Sequence, residues 1–489
     1  MMLAISGKEC MVALMNLSIP SIIQGGMGAG VSNWRLAKAV SRLGQLGVVA
    51  GTALDQLLSL RLQNGDADGG IRRALAHFPF PRVAKRILDA YFVPGGRDPS
   101  TPRKPGKMHT AERNLPAQEL CIAANFVEVF LAREGHSGPV GVNFLEKIQM
   151  PHLPSLYGAM LAGAAVIIVG AGIPMEFPAA IQALANHQPA SYTMLVSRPK
   201  AAEPVVLTLD PADFAEPGQT LPPLDKPAFL PIVSSATLGT MMARRLPGGV
   251  DGFVIETAVA GGHNAPPRGQ MQFTPDGQPV YGPRDVADLD IFRKIGLPFW
   301  LAGGYGSPGK YREALALGAA GIQMGTAFAL CTESGLAPDL RRALVAKALA
   351  GKARVFTDAL ASPTGFPFKV AVLEGTLSDP EVYARRQRVC NLGFLREAYR
   401  KPDGALGYRC AAEPEAAWIA KGGKPEDAAG RKCLCNALVA NIGLPGRQPD
   451  GSPELPLVTL GDDLAGVGRF CANGQTDYTA ADVIRTLLG

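Results

Sequence analysis

The chain has 489 residues, 47% of them hydrophobic, with 57 glycines, 41 prolines and a formal charge of +6. That charge is too dilute, and too free of Lys/Arg blocks with interleaved aromatics, to point to nucleic acid. No run reaches about 18 uninterrupted apolar residues, so no membrane span is expected. The apolar N-terminus is broken by Lys8 and Glu9 without a small-residue cleavage site, and eight cysteines in so long a chain are no disulfide framework; a cytoplasmic protein with reduced thiols is the expectation.

Short apolar runs alternate with helical stretches, the rhythm of repeated βα units. Ser21-Ile22-Ile23-Gln24 reads as a first strand, closed by the loop Gly25 to Gly30, after which Asn33 is placed to cap a helix running through Arg42. Leu46 to Ala50 reads as the second strand. Residues 53–138 are too long for one crossover and carry a charged, Pro-rich middle, so they read as a helical insertion, either a lid or a contact in a homo-oligomer. Further strands are expected at Val140 to Phe144, Ala165 to Val169, Ser191 to Val196, Phe229 to Val233, Val250 to Glu256, Pro298 to Ala302 and Gly321 to Met324. This is one more than the eight of a TIM (β/α)8 barrel, and either 191–196 or 229–233 is surplus. Residues 1–335 thus form the expected barrel. Residues 336–489 read as a helical, then irregular, C-terminal extension packed on it.

Three strand ends carry the chemistry. Gly252 to Glu256 runs into Ala260-Gly261-Gly262-His263, which sets an imidazole just past the C-terminal end of a strand, where α/β barrels place their active sites. Two glycines before it let the backbone approach a ligand without a Cβ in the way. Phe299-Trp300-Leu301-Ala302-Gly303-Gly304 and Gly321-Ile322-Gln323-Met324-Gly325-Thr326 follow. Each presents backbone N–H groups near a helix start, where barrels commonly hold a phosphate.

Gln24-Gly25-Gly26-Met27, Ala260-Gly261-Gly262-His263, Ala302-Gly303-Gly304 and Gly321 to Thr326, in this order, resemble the motifs of the nitronate monooxygenase (2-nitropropane dioxygenase) family. Its FMN-dependent barrel superfamily also contains flavin enoyl-acyl-carrier-protein reductases and the enoyl reductases of polyunsaturated fatty acid synthases. The resemblance spans residues 19 to about 330 and implies non-covalent FMN at the barrel mouth. It implies that Gly25 and Met27 line the flavin ring, that Asn143 reaches its polar edge, and that Gly262, Gly303, Gly304 and Gln323, Met324, Gly325 and Thr326 hold the ribityl phosphate end. His263 matches the family's histidine, proposed there as the base that takes a proton from the carbon beside the nitro group; a hydrogen-bond donor and a purely structural residue are the other readings of it.

The chain also departs from that pattern. Glu256 stands where the family's single-domain members carry a flavin-facing Gln, which adds a negative charge near the ring unless the acid pairs with a cation or stays protonated. Glu256 and the following Asn264 to Arg268 look closer to the fatty-acid-synthase reductases. Arg268 is either a substrate anchor for a nitro, carboxylate or phosphate group or a solvated loop residue. Cys433 and Cys435, with Cys410 and Cys471, have no standard metal spacing, so no metal is expected and reduced thiols are the default. Pro363 to Pro367 is a turn, at the surface or near the flavin. The expected function is oxidation of alkyl nitronates with O₂. The alternatives are an NAD(P)H-dependent reductase of enoyl thioesters and a non-catalytic flavin-binding subunit of a multienzyme complex.

Overall fold

The computed structural model describes residues 19–98, 100–197, 204–246 and 248–489; Lys8, Glu9 and part of the Pro-rich segment 198–227 lie outside them. Eight strands run in parallel: β1 (Ile22–Gln24), β2 (Gly47–Ala50), β3 (Val140–Leu145), β4 (Val166–Gly170), β5 (Ala228–Val233), β6 (Phe253–Glu256), β7 (Phe299–Ala302) and β8 (Gly321–Met324). Neighbours in sequence are neighbours in space, and β8 returns to β1 with Ile22 opposite Ile322. The β1–β2 seam is closed by Gln24 N–H donating to Leu46 O at 2.9 Å and Leu46 N–H to Ile22 O at 3.1 Å. The expected TIM barrel is therefore present and closed.

The strands are apolar on both faces because each face has its own core. Ile23, Val48, Ile168, Leu230, Val254 and Trp300 point inward and fill the barrel. Trp300 also plugs the lower end, its indole N–H donating to Pro20 O at 2.9 Å. The alternate residues, such as Ile22, Val49, Ile167 and Ile255, pack outward in the larger core that includes the helices. Asn33 caps the first helix as expected, its side chain accepting from Leu36 N–H at 3.0 Å.

The surplus strand is the one near 191–196. Ala190–Met194 lies outside the barrel, paired antiparallel with Val205–Leu209. Its residues alternate buried and exposed, the period of a half-covered hairpin, whereas the barrel strands carry no exposed residue. The insertion carries four helices, the last of them Leu115–Arg133. By length and composition that helix is able to cross a membrane, yet 72% of its apolar window is buried inside the protein. Its acids Glu119 and Glu128 pair with Arg86 and Arg61.

The region after residue 335 is less helical than expected. Beyond the helix Pro338–Leu349 comes an antiparallel pair, Val355–Asp358 with Phe368–Ala371. A second pair, Glu397–Arg400 with Leu406–Arg409, adds Val196–Ser197 on its edge. The first pair brings the chain back over the barrel mouth.

Candidate functional site at the barrel mouth

Glycine-rich turns follow the C-terminal ends of β1, β6, β7 and β8 and floor a cavity of about 1490 Å³, part of it open to solvent. The turn after β1 is pinned from below. Gln24 Oε1 accepts from Val48 N–H at 2.9 Å, and Ser32 Oγ accepts from Met27 N–H at 2.9 Å. Glycine is required at the closest approaches. A Cβ on Gly26 would lie 2.3 Å from Asn143 Cβ, and one on Gly303 would lie 2.4 Å from Thr257 Oγ1.

Gly303 also sits at φ +86°, a region costly for any residue with a Cβ. Gly303→Ala should therefore lower stability by about 1–3 kcal/mol, read as a fall in Tm against Gly309→Ala, where a Cβ meets open space.

His263 lines the cavity. Its Nε2 lies 2.7 Å from Ser362 Oγ, and its ring meets Phe368 edge-on with centroids 4.9 Å apart. The backbone is held too: Lys369 N–H donates to Gly262 O and Asn264 N–H to Pro367 O, both at 2.9 Å. Burial, with Lys147 adding to it, pushes the imidazole down to about 4. The ring is neutral at neutral pH. Ser362 Oγ accepts from Thr364 N–H at 3.2 Å and lies 2.8 Å from Thr364 Oγ1. When the serine proton goes to Thr364, Ser362 accepts Nε2–H and leaves Nδ1 as a free lone pair.

Glu256 ends β6 and faces the same cavity. Burial pushes its carboxyl up to about 8, so it stands as a neutral acid at neutral pH. That is the second of the two conditions under which an acid is tolerated beside a flavin. Asn143 Nδ2 donates to Ile168 O at 3.1 Å. Gln323 Oε1 is buried without a protein partner.

Gly25, Met27, Asn143, Glu256, Gly262, His263, Gly303, Gly304, Gln323, Met324, Gly325 and Thr326 all line this one cavity. Arg268 does not. It is exposed, and its guanidinium donates to Arg284 O at 2.6 Å and Ser234 O at 2.8 Å. It borders a small adjoining pocket that shares Glu256. Its donors serve backbone carbonyls, which separates it from the other site residues.

The C-terminal part supplies residues that no local motif announces. The turn after Ser362 reaches His263 and is no plain surface turn. Thr459 Oγ1 accepts from Gly262 N–H at 2.9 Å, Thr326 Oγ1 accepts from Gly461 N–H at 3.0 Å, and Asp463, its carboxyl raised by burial, bonds Thr326. Leu434, Cys435 and Leu438 complete the wall.

A closed (β/α)8 barrel with a glycine-floored cavity and one neutral imidazole at its C-terminal mouth defines the class: an α/β barrel with a candidate ligand site at its mouth. Residues 223–358 match the model of the nitronate monooxygenase family. The match covers three of the four motifs; Gln24 to Met27 lies outside it. A nitronate monooxygenase of Paraburkholderia phytofirmans is 31% identical over 201 residues, 40% of this chain and 52% of the relative. One of Pseudomonas aeruginosa is 35% identical over 123 residues, 24% of this chain and 32% of the relative. The chain thus spans about half the length of the first relative and about a third of the second. Among solved structures, FabK from Thermotoga maritima is 16% identical, with 98% of this chain and 94% of that chain covered at a TM-score of 0.47.

The residues present fit the FMN that this family implies. Gly26 and Gly303 pack too closely on Asn143 and Thr257 to carry a Cβ, so bare backbone lines the cavity there, and the orphaned Gln323 Oε1 offers an acceptor to a ring N–H or a ribityl hydroxyl. The lining contains no Lys or Arg, so a phosphate there would rest on backbone N–H groups of the glycine turns.

Proposed function

We propose that this chain is an FMN-dependent oxidoreductase that oxidises alkyl nitronates with O₂. The observation that carries the reading is His263, a neutral imidazole facing a glycine-floored cavity from within the segment that matches the family. Bound FMN would supply the electron acceptor. Gly25, Met27, Asn143 and Gln323 would seat its ring, and the turns at Gly303 and Gly325 its phosphate end. His263 Nδ1 takes the proton from the carbon beside the nitro group of a neutral substrate, or steadies a nitronate that arrives already ionised. Phe368 against the ring and Ser362 at Nε2 keep the imidazole from turning.

A second reading, an NAD(P)H-dependent enoyl-thioester reductase, is favoured by Glu256, a neutral acid at the cavity where the family's simple members carry Gln. Anaerobic mixing of the flavin-loaded protein with a nitronate, and separately with NADPH and NADH, tests both. Bleaching by the nitronate, reversed by oxygen, is the expected result. Bleaching by a pyridine nucleotide alone would replace this reading with the second, and a chain that binds no added FMN would end both.

Ser362 acts through His263 as a positioning residue. Ser362→Ala should lower kcat on a neutral nitroalkane by about tenfold with KM little changed, because the base is disordered while binding persists. Ser362→Thr should restore most of the rate. A change confined to KM would remove Ser362 from that role.

A further inference from the structure

Lys147 stands in the turn after β3, between Leu145 and Ile148, which both line the main cavity. The residue is half-buried, and its Nζ lies over the ring of Phe366, 4.7 Å from the centroid. Such a cation–π contact holds an ammonium in place without neutralising it. Phe366 belongs to the turn that carries Ser362 and Phe368 onto His263. The ammonium is therefore fixed at the rim of the mouth on the His263 side, and the buried imidazole feels its charge.

Among the described residues no carboxylate pairs with Lys147, and its ammonium donates no hydrogen bond. The acid next to it is engaged elsewhere: Tyr192 Oη donates to Glu146 Oε1 at 2.7 Å, and Gln149 Nε2 to the same atom at 2.9 Å. Burial pushes the Glu146 carboxyl up to about 7, so it is only partly charged at neutral pH. The two acids that line the cavity, Glu256 and Asp463, are raised by burial as well. An unpaired cation beside low-dielectric walls sends its field into the opening, and attracts anions from beyond contact distance. We infer that Lys147 selects anionic substrates at this mouth, favouring a nitronate over its neutral nitroalkane and, among nitroalkanes, those that carry a carboxylate. The identity of the substrate rests on the function proposed above; the preference for a small anion holds without it.

Lys147→Met keeps the stem and removes the charge. It should raise KM for a nitronate about fivefold at low salt, and leave kcat and the KM of the neutral nitroalkane within about twofold. On the nitronate, kcat/KM of the native chain should fall as ionic strength rises from about 0.01 to 0.5 M, and that of the variant should stay flat. Lys147→Arg, a cation that also stacks on a ring, should restore both properties. Propionate, an unreactive carboxylate, supplies a measurement without turnover: titration calorimetry should show it bound about fivefold more weakly by Lys147→Met. If the native chain turns over nitronates and Lys147→Met matches it in KM, salt dependence and propionate affinity, the inference falls and the proposed function stands. If the native chain turns over no nitronate while propionate binding depends on Lys147, the proposed function falls and the anion preference stands. A native chain with neither property would end both. Equal losses on the nitronate and the neutral nitroalkane would also overturn the inference, as the mark of a disturbed turn rather than a missing charge.

Discussion

Replacing His263 with alanine will lower the rate on a neutral nitroalkane by about 10²–10⁴, the usual worth of a placed base, and will change the rate on the preformed nitronate by less than about tenfold. The asymmetry follows from the proton. A neutral nitroalkane needs its carbon acid ionised inside the cavity, and His263 is the imidazole held there in the neutral form. A nitronate has already lost that proton. The pH profile follows from the same burial. Because the imidazole is pushed down to about 4 rather than its ordinary 6.5, the base stays available through the range where a solvent-exposed histidine would protonate. The rate on the neutral substrate should hold level from about pH 7 to about 5 and fall as pH approaches 4. Equal losses on both substrates in stopped-flow assays would instead assign His263 the donor role.

Much of this site was legible because strand ends announce themselves. A buried apolar run followed by Gly-Gly marks both the end of a strand and a close approach of backbone to ligand, so Gly262, Gly303 and Gly304 were found from local pattern. The local pattern leaves two candidates for the one surplus strand, although it holds a signal: Ser191, Tyr192 and Thr193 alternate in polarity as a half-exposed strand does, and Phe229 to Val233 do not. Ser362, Phe368 and Thr459 escaped for a different reason. Their role depends on a chain returning to His263 across about a hundred residues or more, and no periodicity within their own segments records that return. Arg268 shows the converse limit. Its place five residues after His263 leaves both a substrate anchor and a loop residue open, and only the fold shows its guanidinium turned toward the carbonyls of Ser234 and Arg284.

Glu256→Gln will make the chain's activity nearly independent of pH on the alkaline side. In the native chain burial pushes this carboxyl up to about 8, so at neutral pH it meets the cavity uncharged and able to donate a hydrogen bond. Above about pH 8 it ionises. A negative charge then faces the space where the proposed flavin would accept electrons, which opposes that transfer. With a single ionisation near 8, the active fraction falls about tenfold per unit, to about one hundredth at pH 10. The amide offers a donor that does not titrate, so the variant should lack that fall while keeping its neutral-pH rate within about tenfold. Stability supplies an independent check. Between pH 4.5, the ordinary value, and about 8, the folded chain holds a proton that the unfolded chain has released. The stability carried by that proton is complete below 4.5 and is lost as pH rises through about 8. Denaturant midpoints of the native chain should therefore decline across that window more steeply than those of Glu256→Gln. If rate and midpoint both titrate alike in the two proteins, Glu256 is not the group that governs the alkaline limb.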